Sequence, residues 1–176
     1  MRKLNLGCGA DIREGWVNLD AAKLEGIDVV HDINRLPLPF ESEEFDYILC
    51  QDVLEHVEYV PLLKDLHRIL KRGGTLSIRV PHFSSKNNFI DPTHKNFFSI
   101  ETFDFFAEDS AYRRDYYFDF QFKNVAYRKI VFGAGLFLNR LIEPLVNYSL
   151  KSQKQFESSF LSRLFPAENV TVRIIK

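Results

Sequence analysis

Apolar positions along the chain come in short runs, each closed by a turn or an acid. Leu4-Asn5-Leu6 runs into Gly7-Cys8-Gly9, Trp16 to Leu19 stops at Asp20, and Ile27 to Ile33 carries Asp32 near its end. The mostly apolar stretch from Phe45 to Cys50 has the character of a strand buried in a parallel sheet. Between them, Leu36-Pro37-Leu38-Pro39-Phe40 is a connecting loop, because its prolines remove backbone donors. Val53, Leu54, Val57, Val60, Leu62, Leu63, Leu66, Ile69 and Leu70 recur at helical spacing, with an interruption or restart at Pro61 and a stop at Lys71-Arg72-Gly73-Gly74. Thr75 to Val80 reads as a fifth strand, closed by Pro81.

Strands alternating with connections and one clear helix predict an α/β layer with a largely parallel sheet. Only the six residues 10–15 separate Gly9 from Trp16, too few for a crossover helix. Either that helix is reduced to about a turn or the first two strands are not sheet neighbours. From Phe83 to Phe122 aromatics and charges mix without a period, apart from a short helix expected over Ser99–Phe106 with Ser99 as its cap. Residues 130–165 are expected to form a helical cover, divided or kinked at Pro144, and Asn169 to Ile175 alternates as a closing strand.

Length and charge narrow the classes. The 176 residues fit one domain spanning 1–176, with 83–122 as a substrate cap. A net charge of −1 offers no field for a polyanion, so no nucleic-acid partner is expected, although the second half is mildly basic. Cys8 and Cys50 sit in apolar runs and read as reduced thiols of a cytoplasmic protein. A strand pattern directly after Met1-Arg2-Lys3 leaves no room for a signal peptide, and the longest uncharged apolar stretch, Ile130 to Leu138, is far short of the ~20 residues of a membrane span.

The glycine turn carries the candidate chemistry. In an open α/β sheet ligands bind beyond the carboxyl ends of the strands, and glycine there lets backbone approach a ligand closely. A dinucleotide fingerprint wants a third glycine where this chain has Ile12, which disfavours a pyrophosphate. Asp20 is placed to accept from both ribose hydroxyls, and Asp32 to accept from the exocyclic amine of adenine. The ligand so described is an adenosine bearing something other than a long phosphate chain.

LNLGCG, VNLD, HDI, FDYILCQDVLEHV and LKRGGTLSIRVP, in this order from Leu4 to Pro81, resemble the class I S-adenosylmethionine-dependent methyltransferases, and most of all the small single-domain, type 11-like group. The resemblance implies a Rossmann-like, mostly parallel sheet with an antiparallel C-terminal strand and a substrate cap after strand five. It implies S-adenosyl-L-methionine as cofactor, with Leu6, Gly7, Cys8 and Gly9 facing its amino-acid part. Asp20 would hold the ribose, Asp32 and the backbone of Ile33 the adenine, and Gln51 and Asp52 would lie near the methionine amine or the sulfonium. Two positions depart from the pattern. Asn5 stands where the family often has an acid, and the nearly absent first helix leaves the methionine carboxylate to turn amides or to Arg13.

Methyl transfer needs alignment above all, and a base only when the acceptor must lose a proton early. His56, His82 and His94 are the candidate catalytic residues. His56 belongs to a Glu-His pair that also reads as a helix-entry hydrogen bond. His82 follows the fifth strand at the ligand edge, and also reads as a solvated loop residue. His94, in Asp91-Pro92-Thr93-His94, lies either in an acceptor pocket or in an exposed Asx-turn. The spacing of His82, Asp91 and His94 matches no strong ligand motif, so no metal is expected. The aromatics of 89–120 read mainly as core, with an apolar or sugar-bearing pocket as the alternative, and Arg113 and Arg114 as an anion contact or a solvated pair. The expected function is methyl transfer to a small molecule, with a saccharide or metabolite hydroxyl as the candidate acceptor. The rivals are a lipid or protein acceptor, with surface membrane contact through 130–165, and a non-catalytic cofactor-binding module. Homo-oligomerisation is a further expectation for the apolar 130–165 region.

Overall fold

The computed structural model describes every residue except 113–115 and 136. Seven strands form one sheet: β1 (Lys3–Leu6), β2 (Val17–Asp20), β3 (Val29–Val30), β4 (Phe45–Gln51), β5 (Leu70–Pro81), β6 (Asn124–Val131) and β7 (Asn169–Ile175). Their order is β3-β2-β1-β4-β5-β7-β6, with the first five parallel and β7 antiparallel to both of its neighbours. This is the Rossmann-like sheet with an antiparallel C-terminal strand that the motifs implied. The order reverses between β1 and β4, the place where such sheets bind ligands.

β1 and β2 are neighbours, and no helix joins them. The Cys8–Trp16 connection is instead two tight turns, Asp11 N donating to the Cys8 carbonyl and Trp16 N to the Arg13 carbonyl. A buried amide pair holds that connection down. Asn5 Nδ2 donates to the Asp11 carbonyl at 2.7 Å and to Asn18 Oδ1 at 3.3 Å, and Asn18 Oδ1 also accepts from Arg13 N at 3.0 Å. The departure at Asn5 thereby has a physical reason: a carboxylate has no proton to give a carbonyl.

Helix α1 (Tyr59–Ile69) starts later than the apolar spacing predicted, because Val53–Val57 is a turn and Pro61 falls in the helix's first turn, where its missing donor costs nothing. It runs straight into β5, which begins at Leu70 rather than Thr75 and carries an irregularity opposite Phe45 and Tyr47. After β5 come α2 (Asn87–Ile90), a 3₁₀ turn (Thr102–Phe106), α3 (Phe137–Val146), α4 (Leu150–Ser158) and α5 (Leu161–Leu164). Ser99 does not cap the 3₁₀ turn with its side chain; Ser99 N donates to Thr102 Oγ1. Residues 130 and 131 belong to β6, so the helical region starts later than expected, and Pro144 lies inside α3 near its end.

The strands are two-faced. Leu4, Leu6, Leu19, Ile48, Cys50, Leu76, Ile78, Val80, Val170, Val172 and Ile174 are buried on one face, together with Leu62, Leu63, Leu66 and Ile69 of α1 and with Phe98, Phe103, Phe106, Phe122 and Phe156. Of the aromatics of 89–120, Phe98, Phe103, Phe106 and Phe120 are core and Phe105 and Phe118 pack against it, whereas Phe89, Phe97, Tyr112, Tyr116 and Tyr117 are exposed. In-register positions on the other face carry Lys3, Asn5, Tyr47, Gln51, Thr75, Ser77, Arg79, Thr171, Arg173, Tyr127 and Lys129, with the apolar Leu49 and Ile175 among them. Long side chains cover it: Trp16 packs edge-on to Tyr47, Lys3 and Arg13 lie over Trp16, and Arg173 lies over Tyr127. α3 runs along the β6 edge, where Asn147 bonds both the N–H and the carbonyl of Ile130. Gln153 Nε2 also donates to the Arg128 carbonyl, so side chains take up backbone groups at the C-terminal end of this edge. Phe137, Leu138, Leu141 and Leu145 of α3 are exposed, while Ile142 and Val146 of the same helix pack against the core.

Candidate functional site

The glycine turn sits at the carboxyl end of β1, and its two glycines differ in kind. Gly7 has φ +63°, and a Cβ there would lie 2.5 Å from Val53 Cγ2, so this glycine permits close packing of the turn on the segment after β4. Gly9 has φ +50°, and a Cβ there would meet nothing within 4 Å, so it borders open space at the ligand edge. The Asp20 carboxylate reaches back under this turn, Oδ2 accepting from Gly9 N at 2.8 Å and Oδ1 from Ala22 N at 2.9 Å. Each oxygen keeps a lone pair for another donor. Asp32 is half-buried, and bonds from the Asn34 backbone and side-chain amide hold its pKa below the ordinary carboxylate range. Leu6 and Cys8 are buried beneath the turn, and burial beside Asp20 pushes the Cys8 thiol up. Arg13 pairs with Asp11 and reaches Gln51 Oε1 at 3.4 Å, so it stands over the end of β4. Open floor at Gly9, two acids at the ends of adjacent strands and positions 51 and 52 beyond β4 fit a nucleoside joined to an amino acid by a compact link without phosphates.

A cavity of about 500 Å³ lies on the same edge beside β4, β5 and β7, lined among others by Asp52, Glu55, His56, Arg79, His94 and Glu168. Asp52 holds a left-handed φ of +54° just past β4 and forms an ion pair with Arg79. Asn96 brings the distant 91–96 segment here: its Nδ2 donates to the carbonyls of Leu54 at 2.8 Å and Val57 at 2.7 Å, while Lys95 N donates to the Glu55 carbonyl. The consequence is that His56 and His94 stack edge to face with ring centroids 4.7 Å apart.

Hydrogen bonds set the state of His56. Asp91 Oδ1 accepts from the Thr93 hydroxyl at 2.6 Å, so that hydroxyl accepts in turn from His56 Nδ1 at 2.8 Å. The ring therefore carries its proton on Nδ1 and its lone pair on Nε2. Burial, reinforced by neighbouring His94, lowers the His56 pKa, which keeps the ring neutral. Glu55 is 1% exposed, and burial lifts its carboxyl to about 7. Its Oε2 and His94 Nδ1 are buried with no hydrogen-bond partner among the described residues.

His82 stands apart from this group. It is fully buried, Nδ1 beside Ser84 Oγ at 2.7 Å and Nε2 beside Glu157 Oε1 at 3.1 Å, and it ties the end of β5 to α4. Glu55 is the residue that sequence reasoning passed over as a helix-entry contact. Its pairing with a histidine 39 positions further on has no fixed spacing to reveal it. Of the aromatic candidates, Phe97, Phe105, Tyr112, Tyr117 and Phe118 line a separate cavity of about 500 Å³ that also includes Glu101, whose carboxylate accepts from Tyr112 Oη. The anion contact expected of Arg113 and Arg114 lies outside the described residues.

Residues 4–78 match the family described as "Methyltransferase domain". An uncharacterized protein of Methanocaldococcus jannaschii is 35% identical over 88 residues, 45% of this chain and 39% of that protein. A demethylmenaquinone methyltransferase of Staphylococcus epidermidis is 37% identical over 70 residues, 38% of this chain and 29% of that enzyme. The chain thus spans well under two thirds of either relative. Among solved structures, a SAM-dependent methyltransferase from Archaeoglobus fulgidus superposes with a TM-score of 0.64 at 19% identity, covering 99% of this chain and 86% of that one. A phosphoethanolamine N-methyltransferase of Haemonchus contortus, solved with S-adenosyl-L-methionine, superposes with a TM-score of 0.54 at 15% identity over 100% of this chain and 48% of that one.

The fold is that of the class I S-adenosylmethionine-dependent methyltransferases. The first half of the chain carries the sequence signature of the methyltransferase-domain family, and S-adenosyl-L-methionine is the cofactor that signature and fold imply.

Proposed function

We propose that the protein transfers a methyl group from S-adenosyl-L-methionine to a small neutral acceptor, with a metabolite or saccharide hydroxyl as the favoured class. The cofactor would supply a methyl already activated on a sulfonium. Leu6, Gly7, Cys8 and Gly9 would meet its amino-acid end, Asp20 its ribose, Asp32 and Ile33 its adenine, and Gln51 and Asp52 the neighbourhood of the sulfur. What carries the reading is the adjacency of two features: an open glycine turn flanked by Asp20, and a cavity holding His56 and His94 beyond the next strands. In that arrangement the chain's main work is to align acceptor and methyl, where proximity alone is worth ~7–11 kcal/mol. Of the three candidate histidines, His56 and His94 line the cavity, and removing a proton from the acceptor falls to their cluster. Asp52, Glu55, Asp91 and Glu168 outnumber Arg79 in the lining, which disfavours a phosphorylated acceptor.

The exposed positions Phe137, Leu141 and Leu145, spaced along one side of α3, with Tyr148 just beyond its end, support a second reading in which the acceptor is a lipid or a protein, or in which a second copy docks there. No helix of the described residues is long and apolar enough to cross a membrane.

Calorimetry with S-adenosylhomocysteine tests cofactor binding first. One equivalent is expected to bind, at least tenfold more weakly in Asp20→Ala; no binding, or unchanged affinity in the variant, would remove the assignment. A screen of methyl-donor consumption over sugars, phenols, lipids and peptides then separates the acceptor classes, and binding without turnover on any of them would leave a non-catalytic module.

A further inference from the structure

We infer that Glu55, His56 and His94 form a binding site for a divalent first-row transition cation. Each offers one donor atom, and these atoms all lie within 4.8 Å of one another. Donors around such a cation sit ~2.0–2.2 Å from it, hence up to about 4 Å apart, so only a small contraction separates the trio from coordination. His82, Asp91 and His94, the trio compared in sequence, are not the residues brought together.

Three observations point to a ligand here. Glu55 is almost wholly buried, yet its Oε2 has no partner, and an orphaned buried carboxylate oxygen is costly unless something satisfies it. His94 Nδ1 is orphaned in the same place. The remaining nitrogens of both rings are turned toward Asp91. His56 Nδ1 reaches it through the Thr93 hydroxyl, and His94 Nε2 faces Asp91 Oδ2 at 4.0 Å. A hydrogen-bonded partner behind the ring is how proteins fix the tautomer of a metal-bound histidine; the Thr93 hydroxyl does this for His56 and leaves its Nε2 to coordinate, while Asp91 gives His94 only a charge at 4.0 Å and the orphaned Nδ1 is its free donor.

Two imidazoles and one carboxylate suit the series from Mn²⁺ to Zn²⁺ better than Mg²⁺ or Ca²⁺, which prefer all-oxygen shells. The local charge agrees, since the surrounding carboxylates of Asp52, Asp91 and Glu168 face a single cation, Arg79. Three protein ligands leave positions open toward the cavity. If the proposed methyl transfer is right, an acceptor hydroxyl bound there would lose its proton more readily. Cation binding itself does not rest on that reading.

The test uses the untagged full chain, stripped with a chelator and titrated with Co²⁺ and Mn²⁺ in the absence of cofactor and acceptor. About one equivalent of Co²⁺ is expected to bind with visible d–d bands. Glu55→Gln and His94→Ala are each expected to weaken it ~10–100-fold, while His31→Asn leaves it unchanged. In the wild-type protein, substoichiometric Mn²⁺ is expected to broaden the imidazole signals of His56 and His94 before those of His31 and His67, a measurement that needs no variant to fold. Binding only at millimolar Co²⁺, equal binding by His94→Ala and His31→Asn, or uniform broadening of the histidines would overturn the inference. A protein that binds the cation but transfers no methyl would refute the function and leave the site standing.

Discussion

His56 donates through Nδ1 to the hydroxyl of Thr93, 2.8 Å away, and so depends on a residue 37 positions further along the chain for its tautomer. Thr93→Val removes that acceptor without changing the shape of the side chain. Turnover is expected to fall roughly tenfold with an altered pH profile, S-adenosylhomocysteine affinity to stay the same, and Thr93→Ser to restore both rate and profile. A loss of cofactor affinity equal to the loss of rate would instead mark Thr93 as a merely structural contact.

Glu55 gives stability a pH dependence with a definite sign. Its folded-state pKa of about 7 lies above the ordinary value of 4.5 because burial, with Asp52 and Asp91 nearby, outweighs Arg79. Between those two values the folded chain keeps a proton that the unfolded chain has released, so stability is full below pH 4.5 and declines as pH rises through 7. The integrated effect is ~3 kcal/mol at most. Urea unfolding of chelator-treated protein from pH 5 to 8 should show the decline, and Glu55→Gln should flatten it; parallel curves for the two proteins would refute the assignment. His56 and His94 face the same group, and their own titration must be followed by NMR in the same series.

The two glycines of the first turn separate packing from binding. Gly7→Ala drives a methyl into Val53 in a left-handed backbone conformation, and a cost of ~2–4 kcal/mol is expected. Gly9→Ala bears only the backbone term of ~1–2 kcal/mol, since its Cβ meets nothing. Thermal unfolding is expected to rank Gly7→Ala as the less stable variant, while calorimetry ranks Gly9→Ala as the poorer binder of S-adenosylhomocysteine.

Asn5→Asp converts a buried donor into an acceptor facing the Asp11 carbonyl and Asn18 Oδ1. A loss of ~2–4 kcal/mol is expected, read from denaturant midpoints at pH 7 and shrinking as the new carboxyl is protonated at low pH.

Much of this architecture was legible before any coordinates. Short apolar runs ending in Gly7-Cys8-Gly9, Asp20 and Asp32 define the parallel sheet and the edge at which its strands end, because strand termini and glycine turns leave local signatures. The number of residues between Gly9 and Trp16 foretold the missing crossover helix, but only tertiary hydrogen bonds through Asn5 and Asn18 explain how a turn suffices. Apolar periodicity places the start of α1 too early, because it continues through a turn that packs into the core as a helix would. His94 could be named but not placed: Asn96 docks its segment on the Leu54 and Val57 carbonyls, and a bond across some forty residues has no periodic trace.

The sheet's two unlike faces bear on its thermodynamics. A sheet clad in helices on one side and carpeted with Lys, Arg, Tyr and Thr side chains on the other sheds less hydrocarbon from water per residue than a sandwich enclosed on both. Unfolding such a molecule is expected to expose proportionately less oil, and scanning calorimetry to show a heat-capacity increment below that of an enclosed sheet of equal length.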